Sequence, residues 1–237
     1  MLRRGMMAGV ASATTWNSLV AALPSLWGWW KLDDTPGVGA TASDSSGNAR
    51  HGTYTASGTR GTALFSGSAY AQTSIGGRIS LPNYTPPATP KFSICAWIKT
   101  TTGASEQQIV GSHGAIFQFR KSTVNNALEF VTIAPSVTTT TATTAINDGN
   151  PHFAVIVFDQ TLAAGSGRIK LYLDGVQDGA STTAITISST SSATAIAART
   201  SANNNNGLWA GAMDEVFIVQ DALSSTTIAD LWAARNT

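Results

Sequence analysis

Two segments are apolar on both faces of an extended strand, and they constrain the fold more than anything else in the chain. KFSICAWIKT (residues 91–100) puts Phe92, Ile94, Ala96 and Ile98 on one side and Ser93, Cys95 and Trp97 on the other. HFAVIVFD (152–159) is apolar almost throughout. A strand alternates its side chains, so one that is apolar on both sides must be covered on both. Further short extended segments lie between turn residues: ALFSGSAYAQT, QQIVGS, AIFQFRK, ALEFVTI, GRIKLYLDG, TAITISS, TAIAART and MDEVFIV. Asp174-Gly175 suits the tight turn of a type I′ hairpin. About ten to fourteen strands with almost no helix predict an all-β chain, folded as a two-sheet antiparallel sandwich. At 237 residues it is long enough to bury a large core.

Composition narrows the partners. The single cysteine, Cys95, cannot form an internal disulfide and reads as a packing residue. Charged residues are 11% of the chain and the net charge is +1, which argues against nucleic acid or an anionic membrane as partner. No window reaches the roughly 18 apolar residues of a membrane helix. Arg3 and Arg4 before GMMAGVASA give only a faint likeness to a signal peptide, since the apolar stretch is short. The surface is hydroxyl-rich instead, with 57 Ser and Thr. Thr138 to Thr144 reads as an exposed strand and Asn203–Asn206 as a solvated loop.

Two short helices are expected. WNSLVAAL, capped by Thr14 or Thr15, carries Trp16, Leu19, Val20 and Leu23 on one face. ALSSTTIADLWAA, capped by Ser224 or Ser225, docks through Leu223, Ile228, Leu231 and Trp232. Trp27, Trp29 and Trp30 read as a first strand plugged into the core. The chain divides into an arm (residues 1–26) and the sandwich (27–237). The arm's apolar face is expected to pack on another chain, with a sister subunit, plausibly in a trimer, or a neighbouring protein; the alternative is packing back on its own sandwich.

For chemistry, no Ser-His-Asp or Cys-His set is legible, and no catalytic residue is assigned. Asp214 and Glu215 are neighbours, which in a regular strand sends them to opposite faces. Sugar binding would use an aromatic face and amides: Trp209 beside Asn204 and Asn205, with Tyr54 and Tyr70 elsewhere.

Five segments, in order, resemble one family. They are DSSGNARHGTY (Asp44–Tyr54), GTALFSGSAYAQT, KFSICAWIKT, the pair HFAVIVFD and GRIKLYLDGV, and GAMDEVFIVQDALSSTTIADLW. Together they look like a laminin-G-like, concanavalin A-like jelly roll from about Trp29 to Trp232. The resemblance implies two stacked antiparallel sheets. Enzymes of this fold, such as β-glucanases, carry carboxylates spaced E-x-D-x-x-E on one strand, and Glu106, Glu129 and Glu215 lack that spacing. The resemblance also implies a calcium ion tying the early loop to the last strand through Asp44, Asn48 and Asp214; the alternative is an Asx-type turn at Asp44. LPSLWGWWKLDD is similar to the opening of such domains in tailed-bacteriophage virion proteins. The expectation is therefore a non-enzymatic virion component at the particle surface (capsid decoration, head fibre or tail), able to touch cell-surface glycans. A secreted carbohydrate-binding module, extracellular, is the alternative, and a glycoside hydrolase the third.

Overall fold

A computed structural model describes residues 15–68, 70–73, 77–112, 116–201 and 204–236. The chain starts with helix α1 (Trp16–Ala21) and strands β1 (Leu26–Trp30), β2 (Thr41–Ala42), β3 (Gly52–Tyr54), β4 (Thr59–Thr62), β5 (Tyr70–Thr73) and β6 (Ile79–Tyr84). Then come β7 (Lys91–Lys99), β8 (Gln107–Ser112), β9 (Phe117–Lys121), β10 (Ala127–Thr132), β11 (Thr138–Ala145) and β12 (His152–Asp159). The last are β13 (Ile169–Leu173), β14 (Val176–Ala180), β15 (Ser192–Ile196), β16 (Arg199–Ser201), β17 (Asn204–Asn206), β18 (Ala212–Val219) and helix α2 (Ser225–Ala233). The strands form the expected sandwich. Sheet A runs β14-β13-β12-β7-β18-β5-β4, and β1 shares with β5 the far edge of β18. Sheet B runs β11-β10-β9-β8-β15-β6-β3-β2, and all pairings are antiparallel.

The two strands apolar on both faces, β7 and β12, sit side by side in the middle of sheet A. Their inner residues, Phe92, Ile94, Ile98, Ile156 and Phe158, meet Phe117, Phe119, Leu128 and Phe130 of sheet B in the main core. Their outer residues, Cys95, Trp97, Phe153 and Val155, lie under a second apolar layer supplied by α1, α2 and residues 64–65. Both helices begin as expected: Thr15 Oγ1 accepts from Ser18 N at 3.3 Å, and Ser224 Oγ accepts from Thr227 N at 3.0 Å. Asp174 and Gly175 both have positive φ (53° and 83°), as a type I′ turn requires.

The arm differs from its expected use. Trp16 and Val20 are fully buried on the chain's own sheet A, with Trp16 edge-on to Phe65 at 4.8 Å and to Phe153 at 5.2 Å. Leu19 and Leu23 pack at the margin of the same layer. The outer face of β7 and β12 would otherwise leave two tryptophan-sized apolar surfaces in water, so α1 closes its own sandwich instead of offering this face to another chain. Residues 1–14, with Arg3 and Arg4, lie outside the described residues.

Two further differences are local. Residues 183–189 form no strand, although Ile185 and Ile187 are buried; their alternation reflects docking of an irregular segment onto the core. A bulge in β18 interrupts the register between Asp214 and Phe217, and Glu215 has φ 49°. The bulge adds one residue to the outer side, so Asp214 and Glu215 share a face instead of opposing each other. Asp214 accepts from Leu64 N (3.1 Å) and Ser68 Oγ (2.8 Å), and Glu215 accepts from the indole N–H of Trp29, all in the outer layer.

Candidate functional site

Sheet A is covered on both sides, so the polar sheet surface is the outer face of sheet B, where Glu106, Arg120 and Arg199 stay partly exposed while Gln108, Gln118 and Glu129 are buried. There the strands alternate apolar-in, polar-out. In β9, Phe117 and Phe119 enter the core while Gln118 and Arg120 point outward. In β10, Leu128 and Phe130 enter it while Glu129 points outward, directly across from Arg120. Gln108 of β8 flanks Arg120 on the other side. A crossing segment supplies the remaining partner. After β15 the chain turns at Ala197 (φ 67°) and passes over β8, which is possible because Gly111 has no side chain: a Cβ there would lie 2.7 Å from Ala198 O. That crossing sets Arg199 above the sheet.

The result is one hydrogen-bonded network. Arg120 Nε donates to Glu129 Oε2 at 2.6 Å and Nη2 lies 2.5 Å from the same oxygen. Its Nη1 donates to Gln118 Oε1 at 2.9 Å and to Glu106 Oε2. Arg199 Nη2 donates to Gln118 Oε1 at 2.9 Å and Glu106 Oε1 at 3.2 Å. Gln108 Nε2 donates to Glu106 Oε1 at 2.8 Å, and Thr141 Oγ1 donates to Glu129 Oε1 at 3.2 Å. Two guanidinium groups and two carboxylates balance. The sequence brings up Glu106 and Glu129 only as carboxylates without a catalytic spacing and does not single out Gln108, Gln118, Arg120 or Arg199, although the pattern F-Q-F-R in β9 and L-E-F in β10 carries a signal: polar groups that alternate with core residues.

The residues singled out from sequence go elsewhere. Trp209 is 2% exposed, packs in the main core and donates its indole N–H to Ala212 O at 3.1 Å, so it has no face for a sugar ring. Tyr54 is likewise buried. Asn204 and Asn205 lie in β17, which pairs with β16 as a small hairpin, and the run is not a plain loop; their side chains, and that of Tyr70, lie outside what is described. Among the described residues the large exposed apolar side chains are Val38, Val124, Val137 and Val176, none of them aromatic.

Asp44, Asn48 and Asp214 each spend their polar atoms on hydrogen bonds within the chain. Asp44 Oδ1 accepts from Trp29 N and Ser46 N, both at 2.9 Å, and Oδ2 from Arg50 N at 2.8 Å and Ser46 Oγ at 2.9 Å. Burial pushes its pKa up, but these hydrogen bonds outweigh burial and hold it below the usual carboxylate value. The loop is the Asx-type turn, with its lone pairs spent on N–H and O–H donors. Asn48 turns its amide N–H groups toward Leu26 O (2.8 Å) and Trp27 O (3.4 Å), tying the loop to β1. Asp214 is pushed up to about 8, by burial first and then by the charge of Glu215. Both its oxygens already accept hydrogen bonds, from Leu64 N and Ser68 Oγ. Among the described residues no three His, Cys, Asp or Glu side chains form a metal-binding group.

Among the described residues the remaining polar features offer no catalytic set. His152 Nδ1 lies 2.8 Å from Asp174 Oδ2 and Nε2 lies 3.0 Å from Asp148 Oδ1. The Asp174 hydrogen bond, against the opposing effect of burial, leads the contacts that raise its pKa. Both ring nitrogens are taken by carboxylates, so neither faces a nucleophile. Glu106 and Glu129 are clamped on one guanidinium, whereas glycoside hydrolysis needs one carboxyl protonated toward the leaving oxygen and its partner free. A cleft of about 430 Å³ opens at the end of β7 and β18, between Thr62, Leu64, Lys99, Thr101 and Pro151, with no convergent polar set.

Two antiparallel sheets stacked face to face, one covered by helices on its outer side, make a jelly-roll sandwich. The chain belongs to the family described as the concanavalin A-like lectin/glucanases superfamily, laminin-G-like, which matches residues 72–229. No curated protein matches it in sequence. Among solved structures it is similar to the binding domain of paraclostridial mosquitocidal protein 1 (TM-score 0.65, 12% identity, 88% of this chain and 52% of that one). It is also similar to domain 4 of AbnA, an extracellular arabinanase of family GH43 from Geobacillus stearothermophilus, in complex with arabinotriose (0.60, 15%, 87% and 98%). A third is the binding domain of botulinum neurotoxin DC in complex with SialylT (0.57, 13%, 92% and 52%). The chain thus spans about half the length of the two toxin domains.

Proposed function

We propose that this protein is a non-enzymatic glycan-binding module that engages sugar on the outer face of sheet B. The observation that carries the reading is the Arg120 network: planar donors and acceptors held at fixed positions on a rigid sheet, which is how sugar hydroxyls are recognised where no aromatic face is offered. Two solved structures of the same fold, the AbnA domain and the neurotoxin binding domain, are complexes with arabinotriose and SialylT, and they support the choice of ligand class. A glycan array probed with the full chain tests it. Arg199→Ala removes the partly exposed rim guanidinium (side chain 37% exposed) and should weaken sugar binding several-fold with little change in melting temperature. Binding that is indifferent to Arg199→Ala and Glu129→Gln alike would refute this site.

A finer reading rests on the opening LWGWWKLDD: that the module is carried on a tailed-phage particle, as a decoration, head-fibre or tail component in a homo-oligomer, with a secreted extracellular module as the alternative. Mass spectrometry of purified particles tests it; absence of the chain from them would leave the secreted module.

A further inference from the structure

Resting on the binding face proposed above, we infer that its ligand is an uncharged glycan and that sialylated or uronic-acid sugars are refused. Recognition of a carboxylate or sulfate uses an open guanidinium fork, two adjacent N–H groups free to bond two oxygens. Neither arginine of the face has one. The side-on fork of Arg120, Nε with Nη2, is closed on Glu129, and Nη1 is already shared between Glu106 and Gln118. Both forks of Arg199 run through Nη2, which donates to Glu106 and Gln118. Arg199 Nε is buried and cannot be reached from outside.

Charge leads to the same conclusion. Glu106 and Glu129 neutralise the two guanidinium groups, so an anionic sugar would gain no net attraction and would face two carboxylates at close range. A neutral sugar faces no such penalty. Each hydroxyl both donates and accepts, and the partly exposed rim offers the carboxylate of Glu106 beside the guanidinium of Arg199. Discrimination of this kind comes from leaving the wrong ligand's charge unpaired, not from extra contacts to the right one.

Glu106 is the carboxylate that both arginines share. Glu106→Gln should leave Nη1 of Arg120 and Nη2 of Arg199 held only by neutral acceptors, Gln118 among them, and two guanidinium groups facing one carboxylate, while keeping the side-chain shape. The experiment probes wild type and Glu106→Gln, as full chains, on an array holding neutral oligosaccharides (arabino-, xylo- and gluco-oligomers) and acidic ones (sialyllactose, oligogalacturonate). Wild type should bind only among the neutral set. Glu106→Gln should gain binding to the acidic set by about tenfold, the worth of one charge-assisted hydrogen bond, and the gain should fade with added salt. Wild-type binding that depends on a sugar carboxylate, and falls in Arg199→Ala, would overturn the inference and leave the binding face standing. No binding to either set, or binding untouched by Arg199→Ala and Glu129→Gln, would overturn the binding face and the inference with it.

Discussion

Raising the pH from 6 to 8 should destabilise this protein through the two carboxyls of β18. Asp214 and Glu215 share a dry face beneath α1 and residues 64–68. Burial lifts Asp214 from 3.8 to about 8, with the charge of Glu215 adding to it, and burial lifts Glu215 from 4.5 to about 7. The folded chain therefore holds these protons over a range in which the unfolded chain has lost them. Because folded binds more protons than unfolded, stability is greatest below pH 4 as far as this pair is concerned and falls as pH rises toward 8. Each unit of pH costs about 1.4 kcal/mol per retained proton. From pH 6 to 8, with Glu215 ionising first, the loss is about 3–4 kcal/mol, or about 6–15 °C in melting temperature for a chain of this size. Asp214→Asn removes the larger part without disturbing the packing, since its oxygen can take Leu64 N–H and its amide can donate to Ser68 Oγ. Differential scanning calorimetry of wild type, Asp214→Asn and Asp214→Asn/Glu215→Gln at pH 6, 7 and 8 reads the effect. The wild-type fall should shrink by more than half in the single variant, and the double variant should keep only the smaller fall that comes from His152, whose pKa is also raised. A double variant that loses stability with pH as steeply as wild type would refute the assignment.

Trp16→Ala should cost about 3–5 kcal/mol in urea unfolding, because it empties a fully buried site between Phe65, Trp97 and Phe153. Gly111→Ala should destabilise by about 1–3 kcal/mol and weaken sugar binding together, since the new methyl meets Ala198 O and lifts the segment that holds Arg199. EDTA should leave the melting curve unchanged, because Asp44 is saturated by its own loop's donors; a clear drop in melting temperature would reinstate a cation.

Much of the sandwich was legible because its central strands carry their environment in their sequence. The strands β7 and β12 are apolar on both faces and are covered on both, and the Asp174-Gly175 pair turns where its backbone preference dictates. Thr15 and Ser224 cap the helices as their hydroxyls allow. What failed was whatever depends on partners distant in the chain. The alternation at 183–189 records burial, and burial alone does not make a strand. The bulge at Glu215 breaks the two-residue period that any strand reading assumes, so two carboxyls thought to be apart came together. Trp209 looked like a platform because it follows a polar run, yet the chain re-enters the core there. The polar face could not be assembled from sequence, since Glu106, Arg120, Glu129 and Arg199 meet only after three strands pair and a segment crosses them.

Both α1 and α2 lie against the outer surface of sheet A, on the far side of the sandwich from the Arg120 network. With helix, sheet and sheet stacked at about 10 Å per layer, an attachment made next to either helix sits roughly 20 Å behind that network. Immobilising the protein through a tag at α1 or α2 therefore presents the polar face squarely to a ligand in solution. Coupling through Lys99 or other side chains would orient it at random. The same polarity means that many copies anchored by their helices on one support would display their sheet B faces outward together, a geometry suited to gripping a multivalent sugar surface.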